Sequence, residues 1–217
     1  MPIDKEMYKR ISNELNGKAV LVAVSKTKTP EDILALYNEG QRDFGENYVQ
    51  ELTDKQAALP TDIRWHFIGH LQTNKVKQMI SFVYLIHGVD SLRLLEEINR
   101  RAEKAGRVVN VLLQVHVARE ETKFGFDAGE LQKILFMVNQ DPGNWVNIRI
   151  RGLMGMASNT EDTSIVSGEF RELKLLLDQW FPSDGILSMG MSGDYQLAVK
   201  EGSTMVRIGS LLFGKRG

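Results

Sequence analysis

The sequence predicts an α/β protein built as a single (β/α)8 TIM barrel, with an extra N-terminal helix before the first strand. Eight strand-like segments alternate with helical segments along 217 residues, the stoichiometry of such a barrel near the lower end of its size range. An open doubly wound sheet usually has a glycine-rich first turn. Here residues 25–30 (SKTKTP) follow the first strand and contain no glycine. Since no linker or repeat interrupts the chain, we expect residues 1–217 to form one domain.

Each element is predicted from its hydrophobic period. Short runs of aliphatic and β-branched residues indicate strands beginning near residues 19, 43, 64, 83, 108, 146, 186 and 205. Apolar residues at helical spacing predict helices over residues 4–16, 30–39, 47–59, 74–80, 92–105, 128–138, 161–180 and 194–201. Asp4 is a suitable N-cap for the first helix, and Gly17 is suited to end it.

The composition excludes several classes of function. The 27 lysines and arginines nearly cancel the 28 aspartates and glutamates, so no broad positive field would attract nucleic acid or an anionic membrane. Cysteine is absent, which excludes disulfides and thiolate nucleophiles. His66 and His70 lie about 13 Å apart on an extended segment, at about 3.3 Å per residue, so we expect no metal site. No segment is of signal-peptide type or of membrane-spanning length, so we expect a cytoplasmic protein.

Lys26 is the first candidate functional residue. As a strand, residues 20–26 place Val20, Val22, Val24 and Lys26 on one face. A lysine held against apolar walls loses solvation of its charged form, and its neutral amine becomes a nucleophile toward carbonyl groups. The ordinary alternative is a strand-end lysine whose ammonium reaches water.

The loops after the seventh and eighth strands are candidates for binding phosphate, as in many barrels of this type. Two glycines there permit close approach of the backbone, and three serines offer hydroxyl donors. These loop residues are Ser188, Gly190, Met191, Ser192, Gly209 and Ser210. The alternative is a pair of ordinary turns with an N-cap serine.

Arg207 is predicted to point into the barrel. It shares a strand face with Met205 and Gly209, opposite Val206 and Ile208. If the latter two meet the outer helices, the guanidinium faces the open end of the barrel as a permanent donor. The alternative is a structural ion pair with a barrel carboxylate such as Glu46.

Six segments together resemble the pyridoxal phosphate homeostasis protein family. They occur in order between about residue 19 and residue 214, and several are long and uncommon. They are residues 23–28 (AVSKTK), 44–51 (FGENYVQE), 66–69 (HFIG) with 71–72 (LQ) and 74–75 (NK), 151–154 (RGLM), 187–192 (LSMGMS) and 202–209 (GSTMVRIG). One departure is Thr29, an extra residue between the lysine pair and Pro30.

The resemblance implies a barrel of the alanine-racemase-like fold type that binds pyridoxal 5'-phosphate (PLP) as a Schiff base. It places the Schiff-base lysine at Lys26, the pyridine-nitrogen partner at Arg207 and a neighbour of the ring at Asn47. The phosphate donors correspond to the 188–192 and 209–210 segments. An arginine facing the pyridine nitrogen keeps that nitrogen unprotonated, which limits carbanion chemistry.

The resemblance also favours a carrier over an enzyme. The related racemases take their second base, a tyrosine, from a separate β-domain, and this sequence ends soon after its eighth strand. We therefore expect a monomeric, non-catalytic protein of vitamin B6 homeostasis, with PLP-dependent apoenzymes as recipients. The alternatives are a PLP-dependent amino-acid racemase with an unusual site and a cofactor-free aldolase that uses Lys26.

Overall fold

A computed structural model describes residues 3–120 and 124–214. Within these ranges the strands are β1 Val20–Val24, β2 Asp43–Glu46, β3 Arg64–Phe67, β4 Leu85–Val89, β5 Val109–Gln114, β6 Ile148–Met154, β7 Ile186–Ser188 and β8 Met205–Ile208. The helices are α1 Lys5–Leu15, α2 Pro30–Asn38, α3 Val49–Ala58, α4 Val76–Met79, α5 Leu92–Lys104, α6 Ala128–Gln140, α7 Thr163–Trp180, α8 Tyr195–Lys200 and α9 Ser210–Phe213.

The strands close into a barrel in which each pairs in parallel with the next, and β8 pairs with β1. The predicted (β/α)8 fold is therefore confirmed. α1 is the extra helix, and its predicted N-cap is also confirmed, since Asp4 accepts a hydrogen bond from the Met7 backbone N–H at 2.8 Å. The two ends of the domain predicted over 1–217 lie outside the described residues.

Several boundaries lie one or two residues from the sequence prediction, and one short helix was not predicted. β4 begins at Leu85 rather than near residue 83 and continues through Gly88 to Val89. Gly88 fits there because a side chain would collide with the Gly69 carbonyl oxygen of the adjacent chain segment. The short helix α9 was not predicted, because its four residues carry too few turns for a periodic signal.

Alternation along the strands divides the core into two parts. Outward-facing residues such as Phe44, Val206 and Ile208 pack beneath the helices in the larger cluster. A smaller apolar cluster fills the barrel itself, formed by Val22, Leu85, Leu112, Met154 and Met205. Parallel strands buried on both faces require this arrangement. None of the helices in the described ranges combines the length and apolar character needed to cross a membrane.

Candidate functional site

A cavity of about 330 Å³ opens at the carboxyl ends of the strands, and we call it the mouth cavity. Seven of the nine residues predicted from the sequence line it: Lys26, Asn47, Met191, Ser192, Arg207, Gly209 and Ser210. They come from segments far apart in the chain that barrel closure brings together. This is the end of a (β/α)8 barrel at which functional residues collect.

Lys26 lies in a tight turn directly after β1. The Lys28 backbone N–H donates to the Ser25 carbonyl oxygen at 3.0 Å, which closes the turn. Thr27 has a φ of 63°, a left-handed conformation that is uncommon for a β-branched residue. Its backbone N–H donates to Glu51 Oε2 at 2.7 Å. Carboxylate binding thus stabilises a strained backbone next to Lys26.

Three charged side chains lie beneath this turn, and we call them the turn cluster: Glu46, Glu51 and Lys55. Lys55 Nζ donates to Glu46 Oε1 at 2.7 Å, to Glu51 Oε2 at 2.8 Å and to the Ser25 carbonyl oxygen at 2.8 Å. Ser25 Oγ donates to Glu46 Oε1 at 2.7 Å. The residues on both sides of Lys26 are therefore fixed by charge-assisted hydrogen bonds, which are buried on the Ser25 side.

Burial dominates the electrostatics of Glu46, whose side chain is fully buried. Burial raises the pKa of its carboxyl despite the opposing effects of Lys55 and Ser25. Glu46 faces outward toward α3, on the same strand face as Phe44, and it pairs with Lys55. The sequence alternative in which Glu46 pairs with Arg207 is therefore wrong, because the two side chains lie on opposite faces of the barrel wall.

Asn47 follows β2 and lines the mouth cavity. Its Oδ1 is buried and has no hydrogen-bond partner among the described residues. An unpartnered buried carbonyl is costly, so its presence calls for an explanation. A ligand that donates a hydrogen bond, or presents a polar edge, inside the mouth cavity would supply one.

The loops after β7 and β8 are joined to each other. Gly209 donates its backbone N–H to Ser192 Oγ at 3.3 Å, and Asp194 Oδ1 accepts from the Met191 backbone N–H at 2.6 Å. Within the described ranges, the backbone N–H groups of Ser192, Gly193 and Ser210 have no protein acceptor. Such N–H groups beside serine hydroxyls suit a phosphate group.

Arg207 points inward from β8 and is buried. Its Nη1 donates to the Ser188 carbonyl oxygen at 2.8 Å and to Ser188 Oγ at 2.7 Å, and its Nη2 donates to the Gly155 carbonyl oxygen at 3.0 Å. Burial lowers the pKa of its guanidinium to about 10. The side chain thus remains a cation at neutral pH, held at the base of the mouth cavity.

Two predicted residues lie outside the lining of the mouth cavity. Ser188 is fully buried in the barrel, where its hydroxyl contacts Arg207 and lies 2.9 Å from His87 Nδ1. Gly190 has a φ of 91°, and a side chain there would collide with the Ala198 methyl group at 2.5 Å. Gly190 therefore lets the β7 loop turn close to α8, and Ser188 supports Arg207 from below.

The sequence interpretation missed the turn cluster. Both glutamates lie in the 44–51 segment that carries the family resemblance, but nothing in that segment pairs them with Lys55. Only a lysine at a buried position of a helix could have signalled the turn cluster. His87 lies on β4, and both of its ring nitrogens have hydrogen-bond partners. Lys28 donates from Nζ to the Phe213 carbonyl oxygen at 2.9 Å and lines the mouth cavity.

A larger cavity of about 720 Å³ lies at the opposite end of the strands, and we call it the far cavity. Its charged side chains are mostly paired with one another, as in the ion pairs of Arg64 with Asp43 and of Lys174 with Asp178. Ion pairs of this kind are typical of the amino-terminal end of the strands, which contributes to the stability of such barrels. Size alone therefore does not make it the functional site.

The fold and the mouth cavity together define a class: single barrels with a lysine at the end of the first strand and phosphate-type loops after the last two. Residues 5–217 match the family described as "Alanine racemase, N-terminal domain". Alanine racemase from Streptomyces coelicolor superposes with a TM-score of 0.78 at 17% identity, covering 97% of this chain and 57% of that one. At that identity the likeness shows the fold alone.

Relatives with higher sequence identity identify the family within this class of barrels. The pyridoxal phosphate homeostasis protein of Aquifex aeolicus is 43% identical over 203 residues, which are 91% of this chain and 87% of the relative. PipY of Synechococcus elongatus, solved without PLP, superposes with a TM-score of 0.89 at 36% identity, covering 96% of this chain and 99% of that one. PipY solved with PLP bound superposes at 0.86, with the same identity and coverage. This chain belongs to the pyridoxal phosphate homeostasis protein family.

Proposed function

We propose that this protein binds PLP in the mouth cavity, holds it covalently through Lys26, and serves PLP homeostasis without catalytic turnover. One observation carries the proposal. A single cavity of about 330 Å³ unites the amine of Lys26, the unpartnered carbonyl of Asn47, the cation of Arg207 and the Ser192 and Ser210 loops. An amine, a ring-sized space and a phosphate site are the three requirements of this cofactor.

The residues present fit the group. When bound, PLP would supply an aldehyde with which the amine of Lys26 could condense, with loss of water. Lys26 lies in a turn whose backbone is fixed on both sides, so its side chain starts from a defined position at the edge of the mouth cavity. The unpartnered N–H groups of Ser192, Gly193 and Ser210 would bind the phosphate.

Arg207 and Asn47 would face the ring. Arg207 is a permanent donor whose Nη atoms are already fixed by Ser188 and Gly155. A donor that keeps its proton leaves the pyridine nitrogen unprotonated, so the ring is a weaker acceptor of electrons. Weak electron withdrawal suits a protein that holds the cofactor and does not use it.

The lining of the mouth cavity supports the absence of turnover. Among its described residues there is no tyrosine, histidine, aspartate or glutamate. Racemisation needs an acid or base on each side of the substrate carbon. Lys28 is the other titratable amine beside Lys26, and its Nζ is bound to the Phe213 carbonyl oxygen.

The visible absorption spectrum tests attachment. We expect the protein incubated with PLP to show an absorption band that is lost in Lys26→Ala and retained in Lys28→Ala, a matched lysine two positions away in the same turn. A colourless wild-type protein after incubation with PLP would refute binding. A band that is retained in Lys26→Ala and lost in Lys28→Ala would show that PLP is attached to Lys28 and not to Lys26.

Proton exchange tests turnover. With L-alanine in deuterated water, we expect the α-proton of the amino acid to exchange no faster with the loaded protein than with free PLP. Exchange that is faster and depends on Lys26 would favour the racemase-like alternative.

We further propose that the protein is a monomer that passes PLP to apoenzymes. Faster reactivation of a PLP-dependent apoenzyme by loaded protein than by an equal amount of free PLP would support that transfer.

A further inference from the structure

A continuous chain of polar side chains crosses the inside of the barrel. We call it the core relay, and its members in order are Arg64, Asp43, His66, His87, Ser188 and Arg207. Arg64 and Asp43 line the far cavity, whereas Arg207 lines the mouth cavity. The core relay therefore joins the two ends of the barrel through its interior.

Hydrogen-bond distances connect successive members. Asp43 Oδ1 lies 3.0 Å from His66 Nε2, and His66 Nδ1 lies 2.9 Å from His87 Nε2. His87 Nδ1 lies 2.9 Å from Ser188 Oγ, which accepts from Arg207 Nη1 at 2.7 Å. The two histidines and the serine are fully buried, so water does not compete for these bonds.

Asp43 determines the direction in which the donors point. Burial would raise the pKa of its carboxyl, but hydrogen bonds from Arg64 and His66 outweigh burial and lower that pKa to about 2. An ionised carboxylate only accepts hydrogen bonds. His66 must therefore donate through Nε2–H, which leaves its Nδ1 to accept from His87 Nε2–H.

The same logic continues to the mouth cavity. Burial lowers the pKa of both His66 and His87, so each imidazole is neutral and carries one N–H. With its proton on Nε2, His87 accepts the Ser188 hydroxyl proton at Nδ1. The Ser188 oxygen is then free to accept from Arg207. One arrangement of protons satisfies every member from Asp43 to Arg207.

Packing alone does not require these polar residues. The neighbouring interior positions are apolar, among them Leu85, Leu112 and Met154, and a buried polar network is costly unless every member is satisfied. A fully satisfied network that ends on a residue of the mouth cavity is suited to hold that residue in one orientation.

We propose that the core relay is a positioning device for the binding site. Asp43 sets the tautomers of His66 and His87, these orient the Ser188 hydroxyl, and Ser188 holds the Arg207 guanidinium at the base of the mouth cavity. Asp43, His66 and His87 are thus positioning residues that act on the cofactor site from inside the barrel and from its far end. The part of this inference that concerns the cofactor rests on the proposed function.

The proton arrangement is testable without cofactor. Long-range ¹H–¹⁵N spectra of the imidazole rings in the unloaded protein should show His66 and His87 as neutral Nε2–H tautomers at pH 7. Asp43→Asn presents an amide donor to His66 and should convert at least His66 to the Nδ1–H tautomer, as loss of an orienting carboxylate does elsewhere. A Nδ1–H tautomer or a charged ring at either position in the wild type would overturn the relay.

The effect on the binding site is tested with PLP. We expect His87→Leu to shift the absorption band of the bound cofactor and to speed its release about tenfold. Without the His87 acceptor, the Ser188 hydroxyl loses its fixed orientation and holds the charged Arg207 less firmly. His87→Asn, whose side-chain oxygen accepts from Ser188, should restore both. His70→Gln is the matched control, since His70 is an exposed histidine that bonds Asp90 outside the core relay.

A variant at the far end of the barrel distinguishes a loss of positioning from a folding defect. Arg64 is partly exposed, so Arg64→Gln should fold and still change the absorption band from the opposite end of the barrel. A normal band and release rate in both Arg64→Gln and His87→Leu would refute the positioning role. If the protein binds no PLP at all, the tautomer measurement still decides whether the core relay exists.

Discussion

Glu46 and Lys55 form a buried ion pair beneath the turn that carries Lys26, with Oε1 and Nζ separated by 2.7 Å. Lys55 also binds the carbonyl oxygen of Ser25, the residue before Lys26. The pair thus links the helix α3 to the start of the turn that carries Lys26. A charge buried this deeply is tolerated because each partner compensates the other.

Removing one partner should be costly. Lys55→Met leaves Glu46 buried without its cation, and we expect a loss of about 3–5 kcal/mol in the free energy of unfolding. Urea denaturation at neutral pH measures it. The double variant Lys55→Met with Glu46→Leu should recover much of that loss, because it leaves no unpaired carboxylate. Equal losses in the single and double variants would contradict a charge-based cost.

Acid should weaken the protein through Asp43. The folded-state pKa of this carboxyl is about 2, below its ordinary value of 3.8, so its contribution is present above pH 3.8 and lost as the pH falls toward 2. The expected contribution is about 2 kcal/mol. Asp43→Asn should remove this part of the pH dependence between pH 5 and pH 2.5 in urea denaturation. Asp54→Asn, at an exposed position of α3, should leave it intact.

Thr27 should tolerate glycine unusually well. Its φ of 63° is strained for a β-branched residue, and glycine adopts that conformation freely. We expect Thr27→Gly to raise the free energy of unfolding by about 1 kcal/mol, measured by thermal unfolding. Thr61→Gly, at an exposed turn without positive φ, is the control and should destabilise the protein. A loss of stability in Thr27→Gly larger than in Thr61→Gly would contradict the strain.

Asn47 should show opposite effects on stability and binding. Asn47→Leu removes a buried carbonyl that has no partner among the described residues, so the unloaded protein should keep or gain stability. The same change should weaken PLP binding about tenfold or more, because the polar group that we propose faces the ring is lost. Thermal unfolding and a PLP titration measure the two effects. Asn139→Leu, on the exposed face of α6, is the control and should not change PLP binding. If Asn47→Leu lowers the stability and leaves PLP binding normal, Asn47 has a structural role and no role in binding.

Local patterns in the sequence determined the fold and much of the candidate site. Alternation with a period of two places Arg207 on an inner face, because successive side chains of a strand point to opposite sides. Lys26 lies two residues beyond the end of β1 and lines the mouth cavity from a turn. The order of strands and helices then implies a closed barrel, which brings the β1, β7 and β8 ends to one mouth. These inferences need no knowledge of packing.

Tertiary structure alone decided which polar groups meet. Glu46 turned outward to Lys55, and Ser188 turned inward to His87, which lies 101 positions away in the chain. Such pairs depend on barrel closure and register and on the direction of each side chain. Neither partner of such a pair carries a local signal for the other. The sequence therefore placed the lysine and the arginine at the site, whereas the folded barrel determined what holds each of them in position.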